Sequence, residues 1–147
     1  MPLARTSIRR HRRRSATEVA VFAEAWLLLG AMALALKVLP FERVMRGKVP
    51  HRRGGLADGE IDRLVWAVDA ARRRSWLRAK CIEGALALRA MLRRRGLAST
   101  LHYGIRNADG EDLEAHVWLS VGGAILIGGE TSELFTEVAT FDTSLPA

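Results

Sequence analysis

The hydrophobic period changes at Gly96, and that change limits which folds this chain of 147 residues can adopt. Before Gly96 the apolar residues recur at helical spacing, and after it they alternate. Ile61, Leu64, Val65, Val68 and Ala71 mark one buried helix face, and Ala85, Leu88, Met91 and Leu92 mark another. Leu101, Tyr103 and Ile105 then alternate with Thr100, His102, Gly104 and Arg106, the pattern of a half-buried strand. Helices at 16–39, from Asp58 or Gly59 to the Arg72-Arg73-Arg74 run, and at 81–95 are therefore expected. Strands are expected around 101–105, 114–121 and 124–128, joined by turns at Asp109-Gly110 and Gly122-Gly123. The fold class is α+β, N-terminal helices followed by an antiparallel sheet.

Composition sets the outer limits. Hydrophobic residues make up 49% of the chain, enough to build a core. A single cysteine excludes an internal disulfide and a cysteine-based zinc site, and it suits a reducing, cytoplasmic setting. The formal charge of +7 is unevenly placed. Arg5, Arg9, Arg10, Arg12, Arg13 and Arg14 crowd the start, whereas no Lys or Arg follows Arg106. That asymmetry suggests an acidic partner, a membrane surface or nucleic acid for the basic end, or simply a solvated tail and an exposed helix face. Nucleic acid is not expected, because no aromatic residues are interleaved with the arginines.

The expected division is a basic arm at 1–15, a helical segment at 16–48, a linker at 49–60 and a core at 61–147. Ser15 or Thr17 could cap the first helix, and Pro40 stops it. Its uncharged run, 25–36, is bounded by Glu24 and Lys37 and is shorter than the roughly 20 residues a spanning helix needs. A helix buried in the protein or packed on a partner is favoured over membrane association, and a signal peptide is set aside.

Two residues stand out chemically. Cys81 opens a helical stretch, where the positive end of the helix dipole favours a thiolate. A lone cysteine is ordinarily a small buried hydrophobe, so its place at a helix start is what singles it out. His116 lies in the strand-like run Ala115-His116-Val117-Trp118-Leu119 and could serve as the base. His11 and His51 lie among arginines, and the alternation around His102 suits a solvent-facing side chain. A tight turn at Gly122-Gly123 pairs Val121 with Ala124 and, by counting, His116 with Gly129. A bulge at Gly128-Gly129, or a turn one residue wider, would bring Glu130 beside His116 as the group that orients the imidazole. Asp142 is the fallback. No metal or cofactor is expected, since there is no cluster with ligand spacing and no phosphate-binding loop.

With Trp76-Leu77-Arg78-Ala79-Lys80-Cys81, Ala85-Leu86-Ala87-Leu88, a hairpin and Ala115-His116-Val117-Trp118, the chain resembles the transglutaminase-like B proteins of lasso-peptide biosynthesis. These are leader peptidases with a papain-like core. The resemblance implies a cysteine protease that cuts the leader from a ribosomally made precursor peptide. It also implies two partners, a separate leader-recognition protein and a lasso cyclase. By position Cys81 is the nucleophile and His116 the base. The family's third member is Asp, whereas this chain offers Glu130 near that place, and Ser120 stands where many relatives carry Glu. The rival reading is a non-catalytic interaction module or membrane-apposed scaffold of the same kind of maturation complex. Transfer to an amine in place of water is a further alternative.

Overall fold

The computed structural model describes residues 14–46, 56–57, 59–75, 81–108, 110 and 112–143. The expected arm at 1–15, the linker at 49–60 and the approach to Cys81 at 76–80 fall largely or wholly outside the described residues. Four helices precede four strands: α1 (Ala16–Val38), α2 (Phe41–Met45), α3 (Glu60–Arg74), α4 (Cys81–Arg94), then β1 (Thr100–Ala108), β2 (Asp112–Val121), β3 (Ala124–Ile127) and β4 (Thr136–Asp142). A 3-10 helix, Gly129–Leu134, joins β3 to β4. The sheet is antiparallel in the order β3-β2-β1-β4. Helices followed by an antiparallel sheet is the α+β layout expected from the change of period.

Local chemistry explains the helix ends. The Ser15 side chain accepts from the Glu18 N–H while the Glu18 carboxylate accepts from the Ser15 N–H, a reciprocal capping box. Gly59, in a left-handed conformation, precedes α3. At the end of α4 the Leu97 N–H reaches the Leu92 carbonyl and the Gly96 N–H reaches that of Arg93. This closure needs the positive φ that Gly96 supplies, 78°. The helix stops there and the chain is free to enter β1.

Packing then fixes the arrangement. Leu64 and Val68 of α3 and Leu88, Met91 and Leu92 of α4 are fully buried with Leu101 of β1 and Leu119 of β2. The inward face of the sheet thus carries Leu101, Val117 and Leu119, and the alternation sends His102, His116, Trp118 and Ser120 to the other face. α1 lies against α3 and α4 through Val21, Ala25 and Leu29. Arg89 of α4 is buried, which pushes its pKa down, and its Nε donates to Thr143 Oγ1 at 3.3 Å. Thr143 in turn bonds the Ser99 carbonyl, so both ends of the sheet segment are tied to α4.

One charge pair joins the first helix to the rest. Glu24 accepts from Arg95 Nη2 at 2.8 Å and lies 3.5 Å from Arg94, and its side chain is only 19% exposed. This hydrogen bond raises the Arg95 pKa above its ordinary value. Removing the carboxylate leaves a half-buried guanidinium short of its partner. Replacing Glu24 with Ala is therefore expected to cost about 1.5–3 kcal/mol, read as a lower denaturant midpoint at unchanged slope.

β4 is the element the sequence pattern did not announce. Only Ala139 and Phe141 of this strand turn inward, so its apolar alternation is short. It pairs with β1, from Thr100 opposite Asp142 to Ile105 opposite Thr136, with a shift between Tyr103 and Gly104. Asp142 therefore ends an edge strand and is not in a loose tail.

Candidate active site

β3 stops at Ile127, opposite Leu119, and leaves the part of β2 that carries His116 without a partner on that side. The chain turns at Gly128, φ 79°, and the 3-10 helix passes beside the open edge. A cleft of about 380 Å³ forms there. Cys81, His116, Gly128 and Glu130 line it together with Asp62, Asp69 and Arg72 from α3. The two residues singled out from the sequence, 35 positions apart, thus border one opening. Cys81 is the first described residue of α4 and is neither fully buried nor fully exposed. Among the described residues it has no hydrogen-bond partner.

His116 is held from three sides. Its Nε2 lies 2.7 Å from the Gly128 carbonyl oxygen, with Thr131 Oγ1 at 3.4 Å as a second neighbour. A carbonyl only accepts, so Nε2–H is the donor, and the neutral ring keeps its lone pair on Nδ1. Trp118 and Phe135 flank the imidazole, with centroids 6.0 and 5.0 Å away. Trp118 has room only because Gly104 lies beneath it: a Cβ there would meet the indole at 2.8 Å and the Phe135 Cβ at 2.9 Å. The imidazole is fixed at the border of a cleft that Cys81 also borders.

The expected third member has a different standing. The Gly122-Gly123 turn pairs Val121 with Ala124 as counted, and both glycines have positive φ, 56° and 84°. The register then shifts at Leu126, so Ser120 faces Ile125 and Leu119 faces Ile127. That bulge lies nearer the turn than the sequence suggests, and it brings Glu130 to the cleft. The Glu130 side chain is exposed, however, and among the described residues no hydrogen bond or ion pair links it to His116. The Gly128 backbone carbonyl occupies the orienting position. Asp142 accepts from Thr100 Oγ1. Thr100 pairs with Ser120, four residues from His116 along β2 and so about 13 Å away.

His102 is not simply solvent-facing. Its Nδ1 donates to Glu137 at 2.7 Å, its Nε2 meets Ser120 Oγ at 2.7 Å, and its ring stacks on Trp118. Ser120 is buried, so it completes this polar chain on the sheet and is out of the cleft's reach. Trp118 lies between two imidazoles whose protons sit on opposite nitrogens when both are neutral. Sequence reasoning missed Gly128 because a backbone acceptor has no side-chain signature. It missed Glu137 because β4 was not foreseen.

Comparison with known proteins identifies the family. A family model described as the transglutaminase-like superfamily matches residues 25–140, from within α1 to within β4. No curated protein and no solved structure gives a significant match. The matched span is well over half of the chain and includes Cys81, His116 and the whole cleft between them. By that match the chain belongs to the transglutaminase-like superfamily, which includes cysteine peptidases.

Proposed function

We propose that the chain is a cytoplasmic cysteine peptidase that removes the leader from a lasso-peptide precursor, working with a separate leader-recognition protein and a cyclase. The observation that carries this reading is the shared cleft: the only thiol of the chain borders it together with an imidazole whose proton is committed to Gly128. The resemblance described above supplies the substrate class. The cleft's mixed wall, with Asp62, Asp69 and Arg72 as well as Val65, Trp66 and Leu126, suits an extended peptide.

The chemistry follows from the tautomer. Nδ1 of His116 takes the proton of Cys81, and the thiolate attacks the carbonyl at the leader–core junction. The oxyanion is met by the Cys81 backbone N–H. The imidazolium returns its proton to the departing core amine, and a thioester to the leader remains. His116 then takes a proton from water, hydroxide adds to the thioester, and the thiol leaves with the leader acid released. Throughout, Nε2–H stays on the Gly128 carbonyl and keeps the ring from turning. Glu130, exposed at the cleft edge, is proposed to strengthen this hold when substrate covers it.

Incubating the chain and its recognition partner with a precursor peptide, and weighing the products, tests the reading. Hydrolysis yields two fragments whose masses sum to the precursor plus one water. Transfer to an amine yields an adduct without that water, and an unchanged precursor refutes the peptidase.

A further inference from the structure

α1 is apolar on the side that faces away from the protein. Val21, Ala25 and Leu29 bury against α3 and α4, while Val19, Trp26, Leu27, Leu34 and Val38 are exposed, Leu27 and Leu34 by 67% and 61%. Between them on the same side lie Ala20, Ala23 and Ala31, also exposed. At 100° per residue these positions form one stripe, crossed by Lys37 near its end and bordered on one side by Thr17 and Glu24. The helix is 23 residues and about 34 Å long, so the stripe exceeds the scattered apolar exposure normal for a soluble surface.

Charge decides what covers it. Residues 1–99 hold 22 of the 23 Lys and Arg but only eight acidic residues. Residues 100–147 hold one Arg and eight acidic residues. The basic excess is concentrated at the two ends of the stripe. Six arginines and no acid lie in residues 1–14; at the other end Lys37 is exposed in the last turn of α1, and Arg43 and Arg46 follow, Arg46 beside Glu42. An apolar face bordered by cations fits the headgroup region of an anionic bilayer. A second copy of the chain would bring the same cations together and is disfavoured by repulsion.

We infer that α1 docks this protein on an anionic membrane surface, lying in its plane with the stripe in the acyl boundary and the flanking arginines on lipid phosphates. α1 has the length and composition to cross a bilayer. Crossing would, however, strip Glu24 from Arg95 and Arg94 and expose the α3 and α4 surfaces that Val21, Ala25 and Leu29 cover. Lying flat keeps all of these contacts. The inference is independent of the peptidase reading, since it uses none of the cleft residues.

Vesicle flotation of the full chain tests it, with phosphatidylcholine alone compared against phosphatidylcholine containing phosphatidylglycerol. Docking predicts flotation only with the anionic vesicles, weakened by salt. It also predicts at least a tenfold lower partition for two variants, Leu27→Glu with Leu34→Glu, and Arg9, Arg10, Arg12 and Arg13 each changed to Gln. Far-UV circular dichroism of both variants should match the parent, as expected for Leu27 and Leu34, which are exposed. Three results overturn the inference. One is flotation that the Leu27 and Leu34 changes do not affect. Another is a lipid-free dimer, by sedimentation equilibrium, that those changes dissociate. The third is a monomer that floats with neither vesicle, which would leave the stripe to a protein partner.

Discussion

Replacing Cys81 with Ala is expected to lower leader removal by at least about 10³-fold while leaving the fold intact, because the reaction proposed here has no second nucleophile. Cys81 is the single sulfur nucleophile of the chain and sits at the cleft, not inside the core. Its loss removes no packed volume of consequence, so the melting temperature should hardly move. Replacing His116 with Gln is expected to give a loss of similar order, since the two side chains act as one unit and their effects do not add. Alkylation separates the roles. With the parent chain, iodoacetamide should modify Cys81 quickly at neutral pH, and His116→Gln should slow that modification. Equal rates in both proteins would sink the pairing of thiol and imidazole, even if cleavage were lost for another reason.

Gly128→Ala should produce the second large effect, this time on stability and on the site together. Gly128 has φ 79°, and a Cβ there would lie 2.6 Å from the Val117 carbonyl oxygen and 3.1 Å from the Trp118 Cα. Both obstacles are backbone, so neither can swing aside. The substitution combines a left-handed alanine with overpacking against β2, and about 2–4 kcal/mol of stability should be lost. Gly123→Ala is the control. Gly123 also has positive φ, 84°, but nothing lies within 4 Å of its Cβ position. It should cost only about 1–2 kcal/mol, the left-handed penalty alone. Because the Gly128 carbonyl holds His116 Nε2, its displacement should also slow Cys81 alkylation, which Gly123→Ala should leave unchanged. Equal losses in the two variants, measured by denaturant unfolding, would show that the contact with β2 carries no weight.

The same positions show how much of the site could be read in advance. Cys81 and His116 stood out as candidates because thiol and imidazole are rare residue types and each sat at a recognisable place in a periodic pattern. On α4, Ala85, Leu88, Met91 and Leu92 are buried, but so is every residue from Gly84 to Leu92, so its spacing did not mark out a single buried face. Ser15 caps α1 and Gly96 ends α4 for local reasons that need no tertiary contact. Glu130 was located to the right stretch of chain. Its relation to His116 depended on where one extra residue entered the β2–β3 ladder, and local pattern does not fix that.

By itself, then, the sequence determined the order of helices and the first three strands, the helix ends and which residues are candidates for chemistry. Each of these depends on neighbours within a few positions along the chain. Tertiary structure alone decided that β4 closes the edge of β1, that the bulge falls at Leu126 and that a backbone carbonyl, not a carboxylate, holds the imidazole. It also decided that α1 buries only one side of an all-round apolar helix. These outcomes depend on long-range packing and on main-chain atoms that are the same in every residue, so no side chain could declare them beforehand.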